Sequence, residues 1–202
     1  MPHRFVCFTD NPTDISLGVE IRPLPKDPKY QGWWWKPYVF KQGHFADGDT
    51  NLFIDLDMVI VGSIDKLVEY LPNEFLGLED VGRVFGRGTP KLGSAVLRWP
   101  ANEYSTIWTS LEKDPSIMQR FRGDQDLIWH LHQPNIKFYP PDWIRSYKWE
   151  VRSRSELVRL TTGWVFRDVR SPTIHPETAI LAFHGTPNPH EVQDPIIVDN
   201  WQ

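Results

Sequence analysis

Apolar and aromatic residues fall in short runs along the chain, separated by stretches rich in proline and glycine. Arg4 to Thr9 (RFVCFT) has the aromatic and β-branched content of a buried strand and stops at the turn signal Asp10-Asn11-Pro12. Pro12, Pro23, Pro25 and Pro28 then keep the chain extended as far as Tyr30, with room for one short strand, Val19 to Arg22. Trp33 to Lys41 is compact and aromatic, and Pro37 suits the first turn of a short helix running toward Phe40. Asn51 to Asp57 (NLFIDLD) is the clearest strand, because Leu52 to Ile54 is an apolar run typical of a sheet covered on both faces. Ile64, Leu67, Val68 and Leu71 recur at i, i+3, i+4 and i+7, with Ser63 as cap, Asp65 in the first turn and Pro72 as stop. This spacing predicts an amphipathic helix. Glu74 to Leu78 and Ser94 to Trp99 read as strands, Glu103 to Lys113 and Gln125 to His132 as helices, and Ala179 to Phe183 as a late strand. Strand followed by helix is the signature of an α/β fold.

Length and charge narrow the picture. The 202 residues can bury one sizeable core, so a single domain over 1–202 is expected. With 22 basic against 26 acidic residues the net charge is -4, which gives no general attraction to nucleic acid. No apolar stretch approaches the ~20 residues of a membrane span. The start Met-Pro-His-Arg lacks a secretory apolar run, and the lone Cys7 forms no internal disulfide. A cytoplasmic location follows as the expectation. The 10 tryptophans either fill an aromatic core or offer platforms on which sugar rings stack.

Four places carry candidate chemistry. Asp55-Leu56-Asp57 closes the apolar strand, and residues two apart on a strand point to the same side, so both carboxylates can face one cleft and share a hard divalent cation. One aspartate capping the next turn, with the other solvated, explains the same pair. In open α/β sheets, however, ligands bind beyond the carboxyl ends of strands, where this pair falls. His184-Gly185 follows a second apolar strand; neutral imidazole ligates transition metals and glycine lets backbone approach a ligand, although a loop histidine held by a carbonyl is the plainer account. Asp124-Gln125-Asp126 opens a helix, where acids also serve the helix dipole, and the Gln125 amide can donate to and accept from sugar hydroxyls. Lys36, after three tryptophans, either meets a phosphate as a point charge or snorkels from the aromatic patch.

The order of these pieces resembles the glycogenin-like, family 8 type retaining glycosyltransferases and their bacterial and viral relatives. The matching segments are Trp35-Lys36, Leu52 to Leu67 with its Asp-x-Asp, the small-residue strand Gly93-Ser94-Ala95-Val96, Asp124-Gln125-Asp126, and His184-Gly185, over roughly Phe5 to His190. The resemblance implies a GT-A fold, α/β with a mixed central sheet, here shortened at the N-terminal side. It implies Mn²⁺ or Mg²⁺ at Asp55, Asp57 and His184, Asp124 and Gln125 as catalytic residues, and Lys36, Ser94, Asp126 and Gly185 against the substrate. A UDP- or GDP-linked sugar would be the donor and a carbohydrate or glycoconjugate the acceptor, with the cation stabilising the departing diphosphate. Gly93 stands where the class commonly has asparagine, and Asn188 stands where its C-terminal loop usually offers a lysine to the phosphates. A non-catalytic glycan- or nucleotide-sugar-binding descendant is the alternative. A glycosidase is a third reading, for which the two carboxylates should stand about 5 to 5.5 Å apart without metal.

Overall fold

The structure is a computed structural model that describes residues 2–80, 91–152, 154–160, 163–170 and 173–201, with backbone alone over 154–160 and 163–170. Its contacts divide the chain into two compact units, Met1–Asp49 with Pro100–Pro134 and Thr50–Trp99 with Asn135–Gln202. In the first unit, β1 (Phe5–Thr9) pairs in parallel with β2 (Val19–Pro23), Phe5 opposite Val19. Helices Thr106–Lys113, Ile117–Arg120 and Asp124–His132 follow. Tyr30, Trp34, Tyr38, Trp108, Leu111, Ile117 and Leu127 form their shared core.

The aromatic segment is a 3-10 helix over Gly32–Phe40 with Pro37 inside it, rather than a helix beginning near Pro37. In 3-10 geometry residues three apart eclipse one another. Trp34, Pro37 and Phe40 therefore form one face, and all three are buried. The sequence favours this tighter spiral because its bulky rings recur at a period of three, and a proline is tolerated in so short a piece. The predicted helix from Glu103 starts later, at Thr106, after a turn over 101–105 in which Asn102 takes a left-handed conformation (φ 68°). Its amide donates to Phe45 O at 3.1 Å and Asp47 Oδ1 at 2.7 Å, which ties the turn to the preceding loop.

This unit also sets a pH response. His44 sits against the rings of Phe8 and Tyr38, and its pKa is lowered chiefly by burial, with Arg22 and Lys41 adding to the effect. Burial likewise lowers that of His132, which pairs with Thr106 Oγ1 at 3.1 Å. Below the ordinary histidine pKa of about 6.5 the unfolded chain binds these protons before the folded one does, so stability falls as pH drops from there toward the lowered values. The apparent Tm should be flat above neutrality and decline under acid, and His44→Gln should reduce that decline.

In the second unit β3 (Thr50–Ile54), β4 (Met58–Ile60), β5 (Phe75–Glu79), β6 (Leu92–Pro100), β7 (Ile136–Phe138), β8 (Ile144–Ser146) and β11 (Ile180–Ala182) build two mixed sheets. One runs β3-β6-β5-β7, with β5 antiparallel to β6 and parallel to β7. The other runs β4-β11-β8, with β11 antiparallel to β4 and parallel to β8. A separate antiparallel pair joins β9 (Arg154–Leu160) to β10 (Gly163–Arg170). Leu67, Leu76, Val96, Ala179 and Ile180 are wholly buried in the main core of this unit. The predicted amphipathic helix shortens to Asp65–Glu69, and Leu71 turns left-handed (φ 42°) just before Pro72.

A β-carbon on Gly93 would lie 2.8 Å from Leu78 Cδ1 across the β5–β6 pair, so packing alone explains why glycine stands there. Gly93→Ala should lower stability by about 1–3 kcal/mol through overpacking, read from its denaturant midpoint. Among the described residues no helix is long and apolar enough to cross a membrane.

Candidate functional site

The candidate residues divide between the units. Asp55, Asp57, Ser94, His184 and Gly185 belong to the second, and Lys36, Asp124, Gln125 and Asp126 to the first. The apolar strand ends at Ile54, earlier than the sequence predicts, so Asp55 and Asp57 stand on the turn between β3 and β4. Leu56 between them is 89% exposed, while both acids are half-buried. Asp55 N donates to Ala95 O at 2.8 Å, which fixes the turn beside the strand carrying buried Ser94.

His184 reaches the same turn through backbone pairing. β11 runs antiparallel to β4 with Ala182 opposite Met58, and one step further Phe183 N donates to Asp57 O at 3.2 Å. The Phe183 ring stacks on Tyr147, centroids 4.6 Å apart and planes at 12°, and Tyr147 donates its hydroxyl to Asp194 at 3.3 Å. Burial, helped by the Asp194 carboxylate, pushes that hydroxyl up to about 12, so it remains a donor at neutral pH. The residue before His184 is thereby held at backbone and ring alike. Gly185 takes φ 65°, a left-handed conformation that costs other residues, as the chain turns away.

The imidazole itself is incompletely satisfied. His184 Nε2 is buried without a hydrogen-bond partner, an arrangement that is costly unless something fills it. Burial lowers the His184 pKa, while Asp57 and Asp80 pull the other way. In kind, a neutral imidazole with an open nitrogen and carboxylates on the neighbouring turn are donors that a divalent cation takes. As placed, however, no group of three or more His, Cys, Asp or Glu among the described residues is gathered closely enough to hold one.

Two neighbours of this site were not singled out from the sequence. Asp80 follows β5 directly, with its N–H donating to Lys91 O at 2.8 Å. Its signal was available: an acid just past the carboxyl end of an apolar strand. Lys148 lies on the π-helical turn Tyr147–Val151 and donates to Thr186 O at 3.2 Å, which brings an ammonium onto the His184 loop. Nothing in the local sequence announces that approach. Asn188 has a structural task instead, since its N–H donates to Glu191 Oε2 at 2.6 Å at the start of the 3-10 turn Pro189–Glu191.

In the first unit, Lys36 Nζ stands 3.6 Å from Asp124 Oδ2, with only 11% and 7% of the two side chains exposed. The ammonium thus engages the start of the helix Asp124–His132 instead of snorkelling to solvent. Gln125 and Asp126 occupy the next two positions of that helix, whose dipole favours acids there.

No protein-family model matches the sequence, and no curated protein matches it. Solved structures do resemble the fold. The glycosyltransferase GlyE of Streptococcus pneumoniae TIGR4 superposes with a TM-score of 0.51 at 14% identity, covering 86% of this chain and 43% of GlyE. The galactosyltransferase LgtC, solved with donor and acceptor sugar analogues, gives 0.55 at 14% identity, covering 92% of this chain and 77% of LgtC. An active-site mutant of LgtC gives 0.56 at the same 14% identity, over 86% and 69%. The chain spans less than half the length of GlyE. At these identities the likeness establishes the fold, which is that of the GT-A glycosyltransferases.

Proposed function

We propose that this chain is a metal-dependent glycosyltransferase that moves a sugar from a UDP- or GDP-linked donor to a carbohydrate or glycoconjugate acceptor, with retention at the anomeric carbon. The observation that carries the reading is the Phe183–Asp57 backbone bond, which sets a half-buried imidazole, its Nε2 buried and open, next in sequence to the residue tied to the acidic turn. Asp57, Asp55 and His184 would hold Mn²⁺ or Mg²⁺, which supplies Lewis-acid stabilisation of the charge on a departing nucleoside diphosphate. Asp80 adds a further carboxylate near the imidazole. Ser94, buried on the adjoining strand, and Gly185, whose lack of a side chain admits close approach, line the donor. In the first unit Lys36 orients Asp124, and the Gln125 carboxamide and Asp126 carboxylate meet sugar hydroxyls.

Lys148 supplies on this loop the positive charge that Asn188 does not. Lys148→Ala should weaken nucleoside-diphosphate binding roughly three- to tenfold and flatten its salt dependence, and Lys148→Arg should restore most of both. The direct test is calorimetry with UDP and GDP, with and without manganese, followed by turnover of nucleotide-sugars. Manganese-dependent binding with release of nucleoside diphosphate supports the reading. Glycan binding that persists in EDTA without release points to a non-catalytic descendant and removes it.

A further inference from the structure

We propose that the exposed indole of Trp33 is the stacking platform for a pyranose ring of the acceptor. This rests on the glycosyl-transfer reading and adds to its Gln125 and Asp126 contacts a residue, Trp33, that the reading does not use. Trp33 is 61% exposed in a helix where Trp34, Tyr38 and Phe40 are all buried, so the chain keeps a large apolar ring in water here. In 3-10 geometry Trp33 and Lys36, three apart, share a face, and both meet the start of the helix Asp124–His132. A β-carbon on Gly123 would lie 3.5 Å from Trp33 Nε1 and 3.6 Å from its Cδ1, while Lys36 Nζ is 3.6 Å from Asp124. The indole is thus brought against Gly123, the residue that precedes Asp124, Gln125 and Asp126, inside one compact unit.

Charge bears on the occupant. Two carboxylates, Asp124 and Asp126, stand here with two cations, Lys36 and the exposed Arg122 that precedes Gly123, so formal charge balances. With Lys36 already committed to Asp124, the surface has no positive surplus with which to hold the phosphates that a nucleotide brings. A neutral pyranose has an apolar face for the indole and hydroxyls for the carboxylates and the carboxamide, the pairing of apolar body and placed polar groups that ligand sites use.

The test is NMR of the full chain, following the tryptophan indole N–H signals, with that of Trp33 assigned by its loss in Trp33→Phe. Methyl β-galactopyranoside, methyl β-glucopyranoside and methyl α-mannopyranoside are titrated separately, and uridine and guanosine form a second arm. The Trp33 signal should move with at least one glycoside and with neither nucleoside. Trp33→Ala should weaken that glycoside roughly five- to tenfold, and Trp33→Phe should recover most of it. Both variants should bind UDP or GDP with manganese within about twofold of the parent. A signal unmoved by all three glycosides, or moved by the nucleosides instead, overturns the proposal. If glycosides move it while the parent binds no nucleoside diphosphate, the platform stands and the transfer reading fails.

Discussion

Asp57→Ala is expected to weaken manganese-dependent binding of UDP or GDP by about 100-fold or more, with loss of sugar transfer, while the protein stays folded. The separation follows from which atoms do what. Phe183 is tied to the carbonyl of Asp57, which any substitution retains, so the strand end that carries His184 keeps its anchor. Only the carboxylate is removed. His184→Ala should give the same binding loss for a different reason, because it takes away the buried Nε2 that has no protein partner. Thermal melts should move little for either variant, and for His184→Ala a small rise is consistent with removing an unsatisfied buried polar atom. Calorimetry showing unchanged nucleotide affinity in both variants would sink the metal assignment.

Arg98→Ala should destabilise the second unit by about 3–5 kcal/mol in urea unfolding. Arg98 is 2% exposed, and its guanidinium donates to the carbonyls of Leu71 and Glu74, both at 3.0 Å. That turn holds two left-handed residues, Leu71 at φ 42° and Asn73 at φ 70°, so the arginine secures backbone that does not favour its own conformation. Alanine would take the guanidinium from the Glu74 carbonyl and from the Leu71 carbonyl, which keeps the Glu74 N–H at 3.2 Å, and would leave a cavity where the side chain packs. Arg98→Met keeps most of the volume and should lose less, about 1–2 kcal/mol, so the difference between the variants isolates packing from hydrogen bonding. Equal losses would show that packing contributes little there.

Local pattern made much of the fold legible. The apolar runs at Phe5–Thr9, Thr50–Ile54 and Ile180–Ala182 are strands, but only Ile180–Ala182 is buried throughout; the first, expected to be buried, lies in a two-stranded sheet with Phe5 65% exposed and the rest half-buried. The helix at Asp124–His132 carries its own start signal in its acids. The link between the Asp55–Asp57 turn and His184 was visible only as a sum of separate strand ends, since the pairing of β4 with β11 joins segments far apart in the chain. For the same reason Lys148, which reaches Thr186 from a π-helical turn, and Arg98, which secures a distant turn, left no local trace. The early end of β3 has no signal in the sequence because Leu56 continues the apolar alternation, yet its side chain lies in solvent.

The Tyr147–Asp194 contact has a practical corollary. Asp194 also caps the helix Pro195–Val198, accepting from Ile196 N at 3.2 Å, and Ile197 packs into the same cluster as Tyr147 and Phe183. Removing the segment from Asp194 onward therefore withdraws the support behind the ring that steadies the imidazole, although it deletes none of the proposed ligands. A protein shortened there should keep its sheets yet lose nucleotide affinity, so an expression boundary drawn too early would imitate an active-site lesion.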